Sequence, residues 1–127
     1  MENLELTASA KTPEVIFNGE KGMLRLKGRS IPENSIEFYK PLYDWVDSYS
    51  STPNQETTIE VMLEYFNTSS SKCLLDLFKK LERLNTGNCN VNVHWYFEED
   101  DEDMAEAGED YEAIIKLPFK MIEIKEI

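Results

Sequence analysis

A single-domain α/β fold, with helices packed on one mixed β-sheet, is predicted by three features of this sequence. Period-two and period-3.6 apolar patterns take turns along the chain, which is the signature of strand–helix–strand units. An Asn-Gly turn between two short apolar runs adds an antiparallel hairpin at the start. The length of 127 residues and the 41% apolar content suit one hydrophobic core.

The elements follow in order. Residues 1 to 12 are polar and read as a short strand or an open lead. Glu14 to Phe17 is a strand, Asn18-Gly19-Glu20-Lys21-Gly22 its turn, and Met23 to Lys27 the returning strand, with Leu24 and Leu26 on one face. Asn34 starts a helix, and Glu37 three residues on completes a capping box. Ile36, Tyr39, Tyr43 and Val46 form one helical stripe; Phe38, Leu42, Trp45 and Tyr49 form its neighbour. Pro41 lacks the N–H that would bond Glu37, so a kink is expected there. Residues 48–55 form a polar loop.

Ile59, Val61, Leu63 and Tyr65 then alternate with Glu60, Met62, Glu64 and Phe66, which predicts a strand with Tyr65 on its buried side. From Leu74 the period changes. Leu74, Leu77, Phe78, Leu81 and Leu84 line one face of a helix, and Gly87 suits a left-handed cap at its end. Val91, Val93, Trp95 and Phe97 mark the next strand. A helix is expected near 102–114, anchored by Ile114, Ile115 and Leu117, and Phe119 to Lys125 closes as a strand. The order is β-β-α-β-α-β-α-β, and each strand–helix–strand crossover implies parallel neighbours.

Between the 59–66 strand and the helix after it stands Asn67-Thr68-Ser69-Ser70-Ser71-Lys72. Side chains of these types accept the first free N–H groups of a helix. The hydroxyls therefore sit at the positive end of a macrodipole, where a phosphate is favoured. The plain reading is a helix cap. The functional readings are a modifiable alcohol or a site for an anionic metabolite or nucleotide. Spacing alone does not select among Thr68, Ser69, Ser70 and Ser71. Lys72 is either a cation near such a charge or a solvated first-turn residue.

The run Tyr65-Phe66-Asn67-Thr68-Ser69-Ser70-Ser71-Lys72, followed by Leu74-Leu75-Asp76-Leu77-Phe78, resembles the SiaC family of bacterial regulatory phosphoproteins. Thr12-Pro13-Glu14-Val15 and Ser30-Ile31-Pro32-Glu33-Asn34 extend the likeness over most of the chain. The resemblance implies a STAS-like domain, similar to anti-sigma-factor antagonists, switched by phosphorylation of the threonine that corresponds to Thr68. It further implies a partner-switching circuit of protein kinase, protein phosphatase and a diguanylate cyclase activated by the unphosphorylated form, within cyclic di-GMP signalling.

Composition narrows the rest. The net charge is -12, and residues 98–112 carry ten acidic groups and no basic one, so the remaining body is close to balance. Nucleic acid and anionic membranes would be repelled, which favours protein partners with basic surfaces. The acidic run is a solvated block, a docking strip or a weak cation site, and it lacks the spacing of a calcium loop. No apolar run reaches the roughly 18 residues of a membrane span, and the acidic N-terminus is unlike a signal peptide, so cytoplasmic residence is expected. Cys73 and Cys89 have no metal or redox spacing and are expected as free thiols. His94 is the only histidine, with no nucleophile or orienting group in sight, and neither a nucleophile elbow nor a phosphate loop is present. No cofactor, no metal and no catalytic centre are expected.

Overall fold

The computed structural model describes residues 2–127. Six strands, β1 (Leu4–Leu6), β2 (Glu14–Asn18), β3 (Met23–Ser30), β4 (Glu56–Phe66), β5 (Asn90–Glu98) and β6 (Phe119–Ile124), form one sheet in sequence order. The first three are antiparallel neighbours; β3, β4, β5 and β6 run parallel. The crossovers carry α1 (Ser35–Tyr49), α2 (Thr68–Leu84) and α3 (Glu102–Ile114). The expected order holds. The polar lead contributes β1, which is tied down by the Trp45 indole N–H donating to the Glu2 carbonyl at 2.9 Å.

All three helices cover the same sheet face. Leu24, Ile59, Val93 and Phe119 lie side by side across four strands, and Leu26, Val61, Trp95 and Met121 form the next row. Trp45 of α1 meets Phe17 at 5.2 Å between ring centroids, Phe78 of α2 meets Trp95 at 6.4 Å, and Tyr111 of α3 meets Trp95 at 5.4 Å. Trp95 and Phe17 are fully buried. The opposite face carries Arg25, Glu60, His94 and Lys120 in one row and, among the described residues, has no helix upon it. Glu60 is held there by Arg25 at 3.5 Å and by the Tyr96 hydroxyl at 3.1 Å. It sits mid-strand, away from the strand tip.

Four local expectations are corrected. Tyr65 is 52% exposed, because Gly28 pairs with Leu63 but Arg29 with Tyr65. The extra residue in β4, Glu64, is a bulge that reverses the alternation beyond it. Phe66 thereby turns inward and meets Trp95 edge-on at 6.1 Å. Ile36, assigned to a core stripe, is 76% exposed at the first turn of α1, where Ser35 and Tyr39 take the buried side instead. Gly87 does not adopt a left-handed φ. Instead Asn85 ends α2, its side-chain oxygen accepting from the Val91 amide at 3.0 Å. Ile114 is exposed, and Ile115 and Leu117 alone anchor the end of α3. The helix α1 continues through Pro41 from Ser35 to Tyr49. Cys73 and Cys89 are free and buried.

Candidate functional site

The start of α2 lies at the carboxyl end of the parallel strands. Asn67 takes an extended conformation as N-cap, with its side-chain oxygen accepting from the Ser70 amide at 2.9 Å and from the Ser69 hydroxyl at 3.1 Å. The Ser71 amide donates to the Asn67 carbonyl at 3.0 Å. The amides of Thr68 and Ser69 find no protein acceptor among the described residues. They are the free donors that the positive end of a helix presents to an anion.

The four hydroxyls diverge sharply. Ser70 is fully buried: it donates to the Ser30 carbonyl at 2.9 Å and accepts from the Ser30 hydroxyl at 2.8 Å. The expectation that Ser70 belongs to a switch surface is therefore corrected, since the helical turn aims it at the end of β3. Ser71 is half-buried, 3.1 Å from the Tyr111 hydroxyl, which donates to the Ser71 carbonyl at 2.8 Å. Ser69 is exposed but engaged, 2.6 Å from the Ser35 hydroxyl at the start of α1. Thr68 is exposed and its hydroxyl has no hydrogen-bond partner among the described residues. Lys72 is exposed one turn further along and forms no ion pair among the described residues.

Around this rim lies a frame of tyrosines and serines that the periodicity gave no reason to gather. Tyr39 of α1 is 2.6 Å from the Ser30 hydroxyl, and burial pushes its phenol up to about 12. Tyr43 donates to the Cys73 carbonyl at 2.9 Å, and burial, then the neighbouring Cys73 side chain, raises its phenol too. Burial likewise raises Tyr111. These phenols stay neutral as donors and lock α1, α2 and α3 around the α2 N-terminus. Ser30, Ser35 and Tyr111 escaped sequence reasoning because their partners in α2 are more than thirty positions distant. The only hint was Ser30 in the lead into α1.

His94 lies on the helix-free face, beside Glu60 and Lys120 in register. Glu64 is exposed near the tip of β4, and Asp76 is exposed on α2. No helix among the described residues is long and apolar enough to cross a membrane.

Comparison with known proteins finds the same fold. The chain is 29% identical over 119 residues to a protein of Pseudomonas aeruginosa strain UCBPP-PA14, covering 94% of each. The structure of SiaC of Pseudomonas aeruginosa superposes with a TM-score of 0.89 at 27% identity, over 98% of this chain and all of that one. A chain in the crystal structure of the diguanylate cyclase SiaD in complex with its activator SiaC, from the same organism, gives 0.89 at 28% identity over 95% and 99%. The family model for the SiaC family regulatory phosphoprotein matches residues 6–124. With that match spanning nearly every element of the sheet and all three helices, the chain belongs to the SiaC family of regulatory phosphoproteins.

Proposed function

We infer that this protein is a phosphorylation-switched regulator whose unphosphorylated form binds and activates a diguanylate cyclase, with Thr68 as the switch. A protein kinase and a protein phosphatase set its state in the cytoplasm, and the domain performs no catalysis itself. The observation that carries this reading is the placement of Thr68: of the four consecutive hydroxyls it alone is exposed and unengaged. The SiaC–SiaD complex supplies the partner class, since its SiaC chain is named an activator of that cyclase.

The physics of the position suits a switch. A phosphoryl group adds about -1.5 to -2 charges and three acceptor oxygens. On this domain it meets free amides and a favourable dipole, worth roughly 0.3–1 kcal/mol at an exposed site. In an interface shaped around a neutral hydroxyl, the same dianion left unpaired costs several kcal/mol, on the order of what separates bound from free. The cost falls on the complex and spares the fold. Storage of a small anionic metabolite or nucleotide at residues 68–71 draws less support, because Ser70 is turned inward and Asn67 already holds one of the first-turn amides.

The test is incubation with the cognate kinase, peptide mapping by mass spectrometry, and calorimetric binding to the cognate diguanylate cyclase. One phosphoryl group on Thr68, full binding by Thr68→Ala and weak binding by Thr68→Asp are expected. Equal binding by both variants would overturn the assignment.

A further inference from the structure

We propose that the groove between α2 and α3 is the docking surface for the partner, and that it receives a charge-bipolar amphipathic helix. The proposal rests on the switch reading above and names the surface through which it acts. The groove encloses about 250 Å³ and is walled by Phe66, Leu75, Ala107, Tyr111 and Ile114, with Lys72 on one rim and Asp110 on the other. Ile114 is 61% exposed, and Phe66 and Leu75, which line the same groove, are only half-buried. Large apolar side chains left in water at one place mark an interaction site.

The groove is continuous with the switch. Thr68, Lys72 and Leu75 stand at i, i+4 and i+7 on α2, so they share one helical stripe. Thr68 begins the same wall that Lys72 and Leu75 continue.

Charge selects the occupant. The α3 side carries Glu102, Asp103, Glu106, Glu109, Asp110 and Glu112, and none of the four ion pairs among the described residues involves residues 98–112. Asp101 caps α3, and Glu102 and Asp103 favour its first turn, whereas Glu106, Glu109, Asp110 and Glu112 enter no ion pair among the described residues. A second copy of this chain would bring the same negative rim and be repelled. The α2 side is positive, with Lys72 and the helix N-terminus. The complementary partner therefore sets Lys or Arg against α3, a carboxylate or neutral group against Lys72, and an apolar side chain between them. Beyond the first turn of α2 both walls are helices whose backbone groups pair within the helix, so a guest helix, which pairs its own backbone groups, fits where an extended strand would bury unpaired amides. Phosphorylation of Thr68 would invert the charge on the α2 side alone and oppose a partner oriented this way.

The test is calorimetric affinity for the cognate diguanylate cyclase at two salt concentrations, with circular dichroism confirming the fold. Ile114→Asp is expected to weaken binding at least tenfold. Glu106→Lys with Asp110→Lys, which leaves the apolar wall intact, is expected to weaken it about tenfold and to flatten the salt dependence. Met23→Asp, at the opposite end of the sheet, is expected to bind as the parent does. Parental binding by both groove variants would overturn the proposal, and a Thr68→Asp defect alongside it would leave the switch standing. A groove defect with parental binding by Thr68→Asp would keep the docking surface and remove the switch.

Discussion

Ser30 and Ser70 hydrogen-bond each other in both directions: the Ser30 hydroxyl donates to Ser70 Oγ at 2.8 Å, and Ser70 Oγ donates to the Ser30 carbonyl at 2.9 Å. Each hydroxyl has one proton, so the remaining bond, 2.6 Å from Ser30 Oγ to Tyr39, must have the phenol as donor. The chain Tyr39 to Ser30 to Ser70 is thereby directed and complete. It pins the first turn of α2 to the end of β3 and to α1.

Ser70→Ala removes an acceptor from a buried hydroxyl and a donor from a buried carbonyl. A loss of about 1–3 kcal/mol is expected, read by urea denaturation. Ser69→Ala, on an exposed hydroxyl, is expected within about 0.5 kcal/mol of the parent. Equal losses would mean that the buried chain contributes nothing particular.

That contrast marks how far the sequence alone could be read. Periodicity located the helices and five of the six strands because each buries one face of a regular element. It also placed a helix cap within Asn67 to Ser71, since capping is a local bond over three positions, but only the structure shows that Asn67 is the residue that makes it. It could not see that Glu64 is a bulge, so it placed Tyr65 on the wrong face; a bulge is set by the neighbouring strand. Nor could it sort four adjacent hydroxyls. Their fates depend on Ser30, Ser35 and Tyr111, which approach through tertiary packing.

Gly108 gives a prediction with an inverted sign. Replacing a glycine inside a helix with alanine ordinarily stabilises by roughly 1 kcal/mol. Here a Cβ would stand 2.5 Å from Trp95 Cδ1 and 2.7 Å from both Trp95 Nε1 and the Met121 methyl. Trp95 is fully buried and its indole N–H donates to the Met104 carbonyl at 2.9 Å, so it has no free direction in which to yield. Gly108→Ala is expected to destabilise by about 1–3 kcal/mol through overpacking and to change tryptophan fluorescence. A more stable variant would show that α3 is free to lift from the sheet.

Thr68→Asp separates folding from binding. The carboxylate would occupy the first position of α2, beside free amides and the positive end of the dipole. Thermal denaturation is expected to show stability equal to the parent or higher by about 0.3–1 kcal/mol. Any loss of partner binding then reflects the interface. A substantially lower melting temperature would indicate that the threonine is structural and would undercut its use as a phosphorylation mimic.

Alkaline unfolding tests the neutral phenols. Tyr39 ionises near 10 when unfolded and at about 12 in the folded protein. Between those values the unfolded chain releases a proton that the native chain keeps. The stabilising term is therefore complete below pH 10 and is lost as pH rises towards 12. Two units correspond to about 2–3 kcal/mol, and Tyr43 and Tyr111 shift in the same direction. Denaturant midpoints are expected to fall steeply above pH 10, and less steeply in Tyr39→Phe. That variant also starts lower at neutral pH, because Ser30 loses the phenol that donates to it. A parallel fall in both proteins would place the alkaline sensitivity elsewhere and deny Tyr39 its role as obligatory donor.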